Sequence, residues 1–438
     1  MQADGSASLK SRHPNQRSNR MRERKGKLLR FASGAASAQL ISAASIPFLT
    51  YIYEPALLGI FFILDAYCDI LSSGSTLAID KAIYVNRSAA RERAIIKASV
   101  FCVLIVSGLA GLLLPGLAGY AILNPELQGI ILAVAAAVLV AGRGLFSIFQ
   151  AIALKSGKFA RVIMAENARA SILLSGRIGF GVMGLGFSGL VISALLGAWG
   201  AVFVVGWGHL RRAIGITATT SITGTRATIR KYRDYLIYEG SSQFVRQLPG
   251  RALVILVGGL YSPTAAGAYS VGLLLCYRPT EVLVRSIVEI GRSEIAADLR
   301  ASNSSAAATK ARGIVVQAGL LACVVSPLLA IVLFFFSPYI FPEAWQRVGG
   351  LVLFSSFLSA MLLAARPLQV VFSLYQSQGK ALMLDVLVTL AAFCGMTFAW
   401  ATGFSLEVAC LTAGAAMALI LVYFIIVALR IAATQRPN

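Results

Sequence analysis

Residues 313–336 read GIVVQAGLLACVVSPLLAIVLFFF, 24 consecutive positions without a charged side chain. As a helix this stretch is about 36 Å long, enough to cross the roughly 30 Å hydrocarbon core of a bilayer. Lys310 and Arg312 stand just before it, and Phe341-Pro342-Glu343 follows soon after. The same alternation of long apolar run, basic edge and short turn recurs along the whole chain. Twelve runs are read in this way, at about 31–51, 55–79, 98–118, 128–152, 162–183, 187–207, 235–259, 264–287, 313–336, 349–375, 381–401 and 406–429. The fold class predicted is an all-α polytopic membrane protein of about 12 transmembrane helices.

Composition agrees. Of the 438 residues 58% are hydrophobic and 13% charged, with mean hydropathy +0.77; soluble domains carry about 25% charged residues. Continuous apolar runs, rather than short alternating ones, exclude a transmembrane barrel. Net charge is +21. Its distribution explains it without a nucleic acid: 30 Lys and Arg fall in the N-terminal arm, the even-numbered connections and the C-terminal tail, and only Arg347 falls on the opposite side. That asymmetry places both termini in the cytoplasm. Residues 1–30, with nine basic residues and no apolar core, read as a cytoplasmic arm rather than a cleavable signal peptide. The six cysteines all lie in apolar runs, and His13 and His209 are the only histidines. Neither a disulfide framework nor a metal site is expected.

Internal repetition divides the chain. Tyr53-Glu54-Pro55-x3-Gly59-Ile60-Phe61 recurs as Tyr261-Ser262-Pro263-x3-Gly267-Ala268-Tyr269, 208 residues later. Arg143 precedes Gly157-Lys158, and Arg366 precedes Gly379-Lys380, at nearly the same interval. The organisation expected is an arm (1–30), an N-terminal six-helix half (31–207), a cytoplasmic linker (208–234), a C-terminal six-helix half (235–430) and a tail (431–438). Two pseudo-symmetric halves with the same orientation would enclose a central cavity, the natural substrate path. Residues 290–312 look like an amphipathic cytoplasmic helix ending in a Ser/Ala-rich linker.

A charge inside a span costs about 2.5–3.5 kcal/mol on insertion scales, which makes each such residue a functional candidate. The basic ones are Arg143, Arg169, Arg177, Arg246, Arg251, Arg278, Arg285 and Arg366, with no lysine. Guanidinium grips phosphate through two parallel hydrogen bonds, so an arginine-lined interior suits pyrophosphate and repels organic cations. Arg143 and Arg366 occupy equivalent helices; the competing reading is salt bridging to Glu166 or Asp385. Glu239, Gln243, Arg246 and Gly250 share one helical face, expected to line the cavity together with Arg251. Asp65 and Asp69, one turn apart, are read either as a Na+ or proton site or as counter-charges to nearby arginines. Glu166 and Asp385 join them as coupling-ion candidates. Arg278, Glu281, Arg285 and Glu289 alternate in sign as a self-satisfied face does.

Gly179-Phe180-Gly181-Val182-Met183-Gly184 matches G-x-G-x-x-G, but it lies in an apolar span and follows no strand, so helix packing explains it better than a dinucleotide. No P-loop, H-E-x-x-H or G-x-S-x-G occurs. A non-enzymatic transporter is expected, without a cofactor beyond a coupling H+ or Na+.

Tyr53-x-Pro55-x3-Gly59-x-Phe61 and Ala78-Ile79-Asp80-Lys81-Ala82-Ile83 resemble bacterial polysaccharide flippases. So do Tyr261-Ser262-Pro263, Phe341-Pro342-Glu343-Ala344-Trp345 and Gln378-Gly379-Lys380. These flippases belong to the multidrug/oligosaccharidyl-lipid/polysaccharide exporter superfamily, and the resemblance covers roughly residues 30–430. It implies translocation of undecaprenyl-pyrophosphate-linked oligosaccharide across the bacterial inner membrane, for lipopolysaccharide or exopolysaccharide biosynthesis. The implied partners are the lipid-linked oligosaccharide, the bilayer, and the polysaccharide polymerase and assembly proteins. Arg143, Arg366, Arg246 and Arg251 would then hold the anionic head. The alternatives are a multidrug or cation exporter of the same superfamily and a membrane glycosyltransferase or ligase.

Overall fold

The computed structural model describes residues 41, 45–85, 89–121, 128–206, 240–301, 303–375 and 377–434. The expected arm, the linker and Glu239 lie outside the described residues, as does most of the first span. Twelve helices run through the rest: α1 (45–52), α2 (Pro55–Gly74), α3 (Ala89–Ala121), α4 (Gln128–Lys155), α5 (Phe159–Val182), α6 (Gly186–Gly206), α7 (Ser241–Leu260), α8 (Pro263–Arg300), α9 (Ser304–Ile340), α10 (Arg347–Leu374), α11 (Gln378–Ala401) and α12 (Leu406–Thr434). A short helical piece, Ala82–Val85, follows α2. There is no strand among the described residues. The chain is a multi-pass membrane protein.

Eight of these helices are long and apolar enough to span a bilayer on length and composition alone: α2, α3, α4, α6, α9, α10, α11 and α12. Helices α5, α7 and α8 are long enough but fall short in hydropathy because of the charges they carry. Arg161, Glu166, Arg169 and Arg177 sit on α5, Arg246 and Arg251 on α7, and Arg278, Glu281, Arg285 and Glu289 on α8. The least apolar helices bring most of the arginines to the middle of the molecule.

Packing repeats between the halves. The pairings α3–α4, α4–α6 and α5–α6 recur as α9–α10, α10–α12 and α11–α12, while α2 packs on both α7 and α8 across the junction. The repeated Pro-x3-Gly motif builds that junction. Pro55 and Pro263 open α2 and α8, where a missing N–H and a fixed φ cost nothing. One turn on, Gly59 lies against the Pro263 carbonyl and Gly267 against the Pro55 carbonyl, and a Cβ at either would collide with backbone. Two short motifs 208 residues apart are thus one reciprocal helix crossing. The tyrosine of each copy ties it to its own half: Tyr53 donates to the Arg177 carbonyl at 2.6 Å and Tyr261 to the Phe404 carbonyl at 3.4 Å. Trp345, fully buried, donates to the Tyr53 carbonyl at 3.1 Å and seals this end.

The stretch 290–312 differs from expectation. Helix α8 continues unbroken to Arg300, and α9 begins at Ser304 with Asn303 as its N-cap, accepting from the Ala306 N–H at 3.2 Å. The Ser/Ala-rich segment is helical because alanine is the best helix former once a cap starts the turn. Ile295, Ala307, Ala311 and Ile314 are buried along the two helices, with Gly291 against Ile314. At 38 and 37 residues, these helices measure about 55 Å and form a hairpin reaching well beyond the hydrocarbon core.

Candidate functional site

Two clusters of charged side chains lie among the helices, the first joining the two halves and the second built within the C-terminal half. In the first, Asp65 and Asp69 of α2 present two carboxylates one turn apart to α4. Arg143 bridges them, with Nη2 donating to Asp65 Oδ1 and Nη1 to Asp69 Oδ1, both at 2.5 Å. The fork geometry of guanidinium makes this double contact possible. Arg251 reaches the other oxygen of Asp69 from α7, at 2.6 Å. Asp69 is therefore shared between arginines of opposite halves. On α5, Arg177 lies over the Phe61 ring at 4.9 Å, within electrostatic reach of Asp65, and Arg169 faces Asp65, Asp69 and Glu166.

In the second cluster, Arg366 of α10 donates from Nη2 to Tyr277 Oη and to Glu281 Oε1 of α8, each at 2.7 Å. Arg278 adds a 3.4 Å contact to Glu281. Nearby, Asp385 of α11, only 3% exposed, accepts from Gln369 Nε2 at 2.5 Å and lies 3.6 Å from Arg246 of α7. The N-terminal half has a counterpart: Gln150 of α4 donates to Glu166 of α5 at 3.5 Å. In both halves the amide precedes the acid by 16 residues, an echo that motif reading overlooked. Gln243 is half-buried on the same helix as Arg246 and Arg251.

Several pairings differ from those expected. Arg143 is salt-bridged to Asp65 and Asp69, not to Glu166 or Asp385. The acid of α5 is taken up by Gln150, and Asp385 belongs to the other half. Glu281 does more than satisfy its own helix, since Arg366 takes one of its oxygens. Tyr277 is a site residue that the sequence does not single out; Glu281 is read there only as part of a self-satisfied face, and Arg169 and Arg177 only as in-span charges without an assigned role. The signal for Tyr277 was available, because the 208-residue repeat that aligns Tyr53 with Tyr261 also aligns Asp69 with Tyr277. Among the described residues no group of three or more His, Cys, Asp or Glu is placed to hold a metal ion.

The chain matches no known family profile and no curated protein sequence. Its fold does match solved structures. An inward-facing multidrug resistance MATE family transporter of the MOP superfamily aligns with TM-score 0.65 and 16% identity over 91% of this chain and 96% of that one. The lipid II flippase MurJ, in an inward closed conformation, aligns with TM-score 0.71 and 12% identity over 91% and 87%. A MOP superfamily transporter from Pyrococcus furiosus aligns with TM-score 0.60 and 16% identity over 93% and 96%. The chain shares the fold of these solved structures. These neighbours are described as transporters and a lipid II flippase.

Proposed function

We propose that this chain is a flippase that moves undecaprenyl-pyrophosphate-linked oligosaccharide across the bacterial inner membrane, for surface polysaccharide biosynthesis. The observation that carries the proposal is the guanidinium excess over the two charged clusters taken together. Arg143, Arg169, Arg177, Arg246, Arg251, Arg278 and Arg366 stand there against Asp65, Asp69, Glu166, Glu281 and Asp385. Excess buried positive charge suits an anionic cargo and opposes a cationic drug. For the Pyrococcus furiosus protein, reverse polarity of the binding pocket suggests a different function; within this fold, pocket charge is therefore an argument about cargo. The description of MurJ as a lipid II flippase supports a lipid-linked substrate.

In this reading both termini are cytoplasmic and the two halves, 31–207 and 235–430, rock about the Gly59–Gly267 crossing. Arg246 and Arg366, at 37% and 39% exposure more accessible than Arg143, Arg251 and Arg278, take the pyrophosphate first, with Gln243 on the helix of Arg246. Arg251 follows by exchanging Asp69 for phosphate. A carboxylate that loses its arginine, Asp65 or Asp69, becomes a site for H+ or Na+, with Glu166 and Asp385 as secondary candidates. Membrane potential supplies about 2.3 kcal/mol per charge per 100 mV.

The test is the lipid-linked sugar pool of a deletion strain. Undecaprenyl-linked repeat units should build up while surface polysaccharide disappears, and Arg366→Ala should fail to restore export. Complete repeats still reaching the surface would remove this reading in favour of drug or cation export. Repeats never assembled would favour a transferase or ligase.

A further inference from the structure

The connection after α2 contains two adjacent non-glycine residues with left-handed backbone, Leu77 at φ 48° and Ala78 at φ 56°. Side chains seldom tolerate this region, because Cβ crowds the following carbonyl oxygen. Such strain persists only where the surroundings over-determine it. Backbone hydrogen bonds from Leu77 to Gly74 and from Ile79 to Thr76 run through the turn, and Asp80 is the side chain that ties it to another helix. Its carboxylate, 1% exposed, accepts from Thr76 Oγ1 at 2.8 Å and from Ser147 Oγ of α4 at 3.0 Å, with Lys81 Nζ 3.8 Å away. Ser147 lies one helical turn beyond Arg143, so a single face of α4 holds α2 at its middle and at its end. Gly144, between them, lets the two chains close up; a Cβ there would come within 2.6 Å of Ser75 Oγ.

The strained turn leans on the opposite half. Gly240, just before α7, sits against the Leu77 backbone, where an added Cβ would lie 3.2 Å from the carbonyl oxygen. One turn into α7, Phe244 lies against Gly74. Gly74 lies 15 residues along α2 from Gly59, about 22 Å, so this contact is most of a hydrocarbon thickness away from the Gly59–Gly267 crossing. By the charge distribution it is the cytoplasmic mouth of the seam between α2 and α7.

We propose that Asp80 is a positioning residue for a gate at this mouth: by holding the Leu77–Ala78 turn in its left-handed form, it keeps the end of α2 pressed on α7 and the seam shut. The turn is a loaded spring. When the Thr76 and Ser147 contacts loosen, Leu77 and Ala78 relax to ordinary backbone, the Leu77 carbonyl withdraws from Gly240, and the mouth opens. The inference rests on the alternating-access reading but on no particular cargo.

The experiment uses the full chain carrying Phe244→Cys, in inside-out membrane vesicles, and follows its reaction with a membrane-impermeant maleimide. The chain without that substitution supplies the background from the six native cysteines. Asp80→Ala and Ser147→Ala should speed labelling. Ala78→Gly should slow it, by about five- to thirty-fold for relief of one left-handed residue. If Asp80→Ala fails to reach the membrane, the opposite signs of Ser147→Ala and Ala78→Gly still decide. A merely structural turn would give three variants that label alike or all move in one direction, and either result overturns the proposal. If labelling responds as stated while the deletion strain builds up no lipid-linked sugar, the cargo assignment fails and the gate stands. The reverse pattern removes the gate alone.

Discussion

Arg143 and Arg366 occupy the fourth and tenth helices, yet they are built into different surroundings. Arg143 is 8% exposed and held by two carboxylates, one of them shared with Arg251 from the other half. Arg366 is 39% exposed and held by one carboxylate and a phenol. The repeat aligns Asp69 with Tyr277, Asp65 with Leu273 and Ser73 with Glu281, so the two carboxylates around Arg143 are replaced by one phenol and one carboxylate a turn further along α8. A closed three-way ion cluster fastens helices together. A more accessible guanidinium with one carboxylate and one neutral partner has less to give up when it changes partners. Under the proposed function, the two arginines that the sequence presents as equivalents divide the labour: one secures the junction and the other meets the cargo.

The comparison breaks most visibly at Arg143. Its replacement by alanine leaves Asp65 without its main partner and should cost about 3–5 kcal/mol, as removal of one member of a buried pair does. Membrane yield and melting temperature in detergent should both fall, whereas Arg366→Ala should keep near-normal yield and lose transport. Equal losses of yield would erase the proposed division. Next in size are Gly59→Leu and Gly267→Leu, each about 1–3 kcal/mol from overpacking. Here the halves are reciprocal, so the two variants should melt at similar temperatures; a large disparity would show that the crossing is not shared. Tyr277→Asp gives Arg366 two carboxylate partners, as Arg143 has. It should fold normally and reduce export about tenfold, equivalent to 1.4 kcal/mol, measured as surface polysaccharide per cell. The smallest effect belongs to the tip of the α8–α9 hairpin, where Asn303 lies more than 20 residues beyond Glu281 along the chain. Asn303→Ala removes the α9 cap for about 1 kcal/mol, lowering the melting temperature slightly without changing export.

Much of this architecture was legible in residue order. Apolar runs such as 313–336 predict the spans because only a helix satisfies its own backbone in hydrocarbon. The Tyr-x-Pro repeat marks equivalent turns because proline at a helix start and glycine one turn later have the same geometric use in both halves. Partner choice was not legible. Whether Arg143 meets Asp65 and Asp69 or Glu166 depends on which helix faces it, and helical periodicity says nothing about the neighbour. The same holds for Glu281, whose spacing to Arg278 and Arg285 suggests an isolated face until α10 brings Arg366 beside it. The hairpin at 290–312 was misread because serine, alanine and asparagine suit a linker as well as a capped helix, and burial along the α8–α9 pair decides between them.

The central claim is that an exposed guanidinium of the second cluster recognises a pyrophosphate-linked lipid. It is tested most directly by the melting temperature of the purified chain in nanodiscs, with polyprenyl pyrophosphate, polyprenyl monophosphate or a quaternary ammonium compound added. The account predicts stabilisation by the pyrophosphate lipid, less by the monophosphate, none by the cation, and loss of the effect in Arg366→Ala. Stabilisation by the cation instead, or a pyrophosphate effect undiminished in Arg366→Ala, would contradict it.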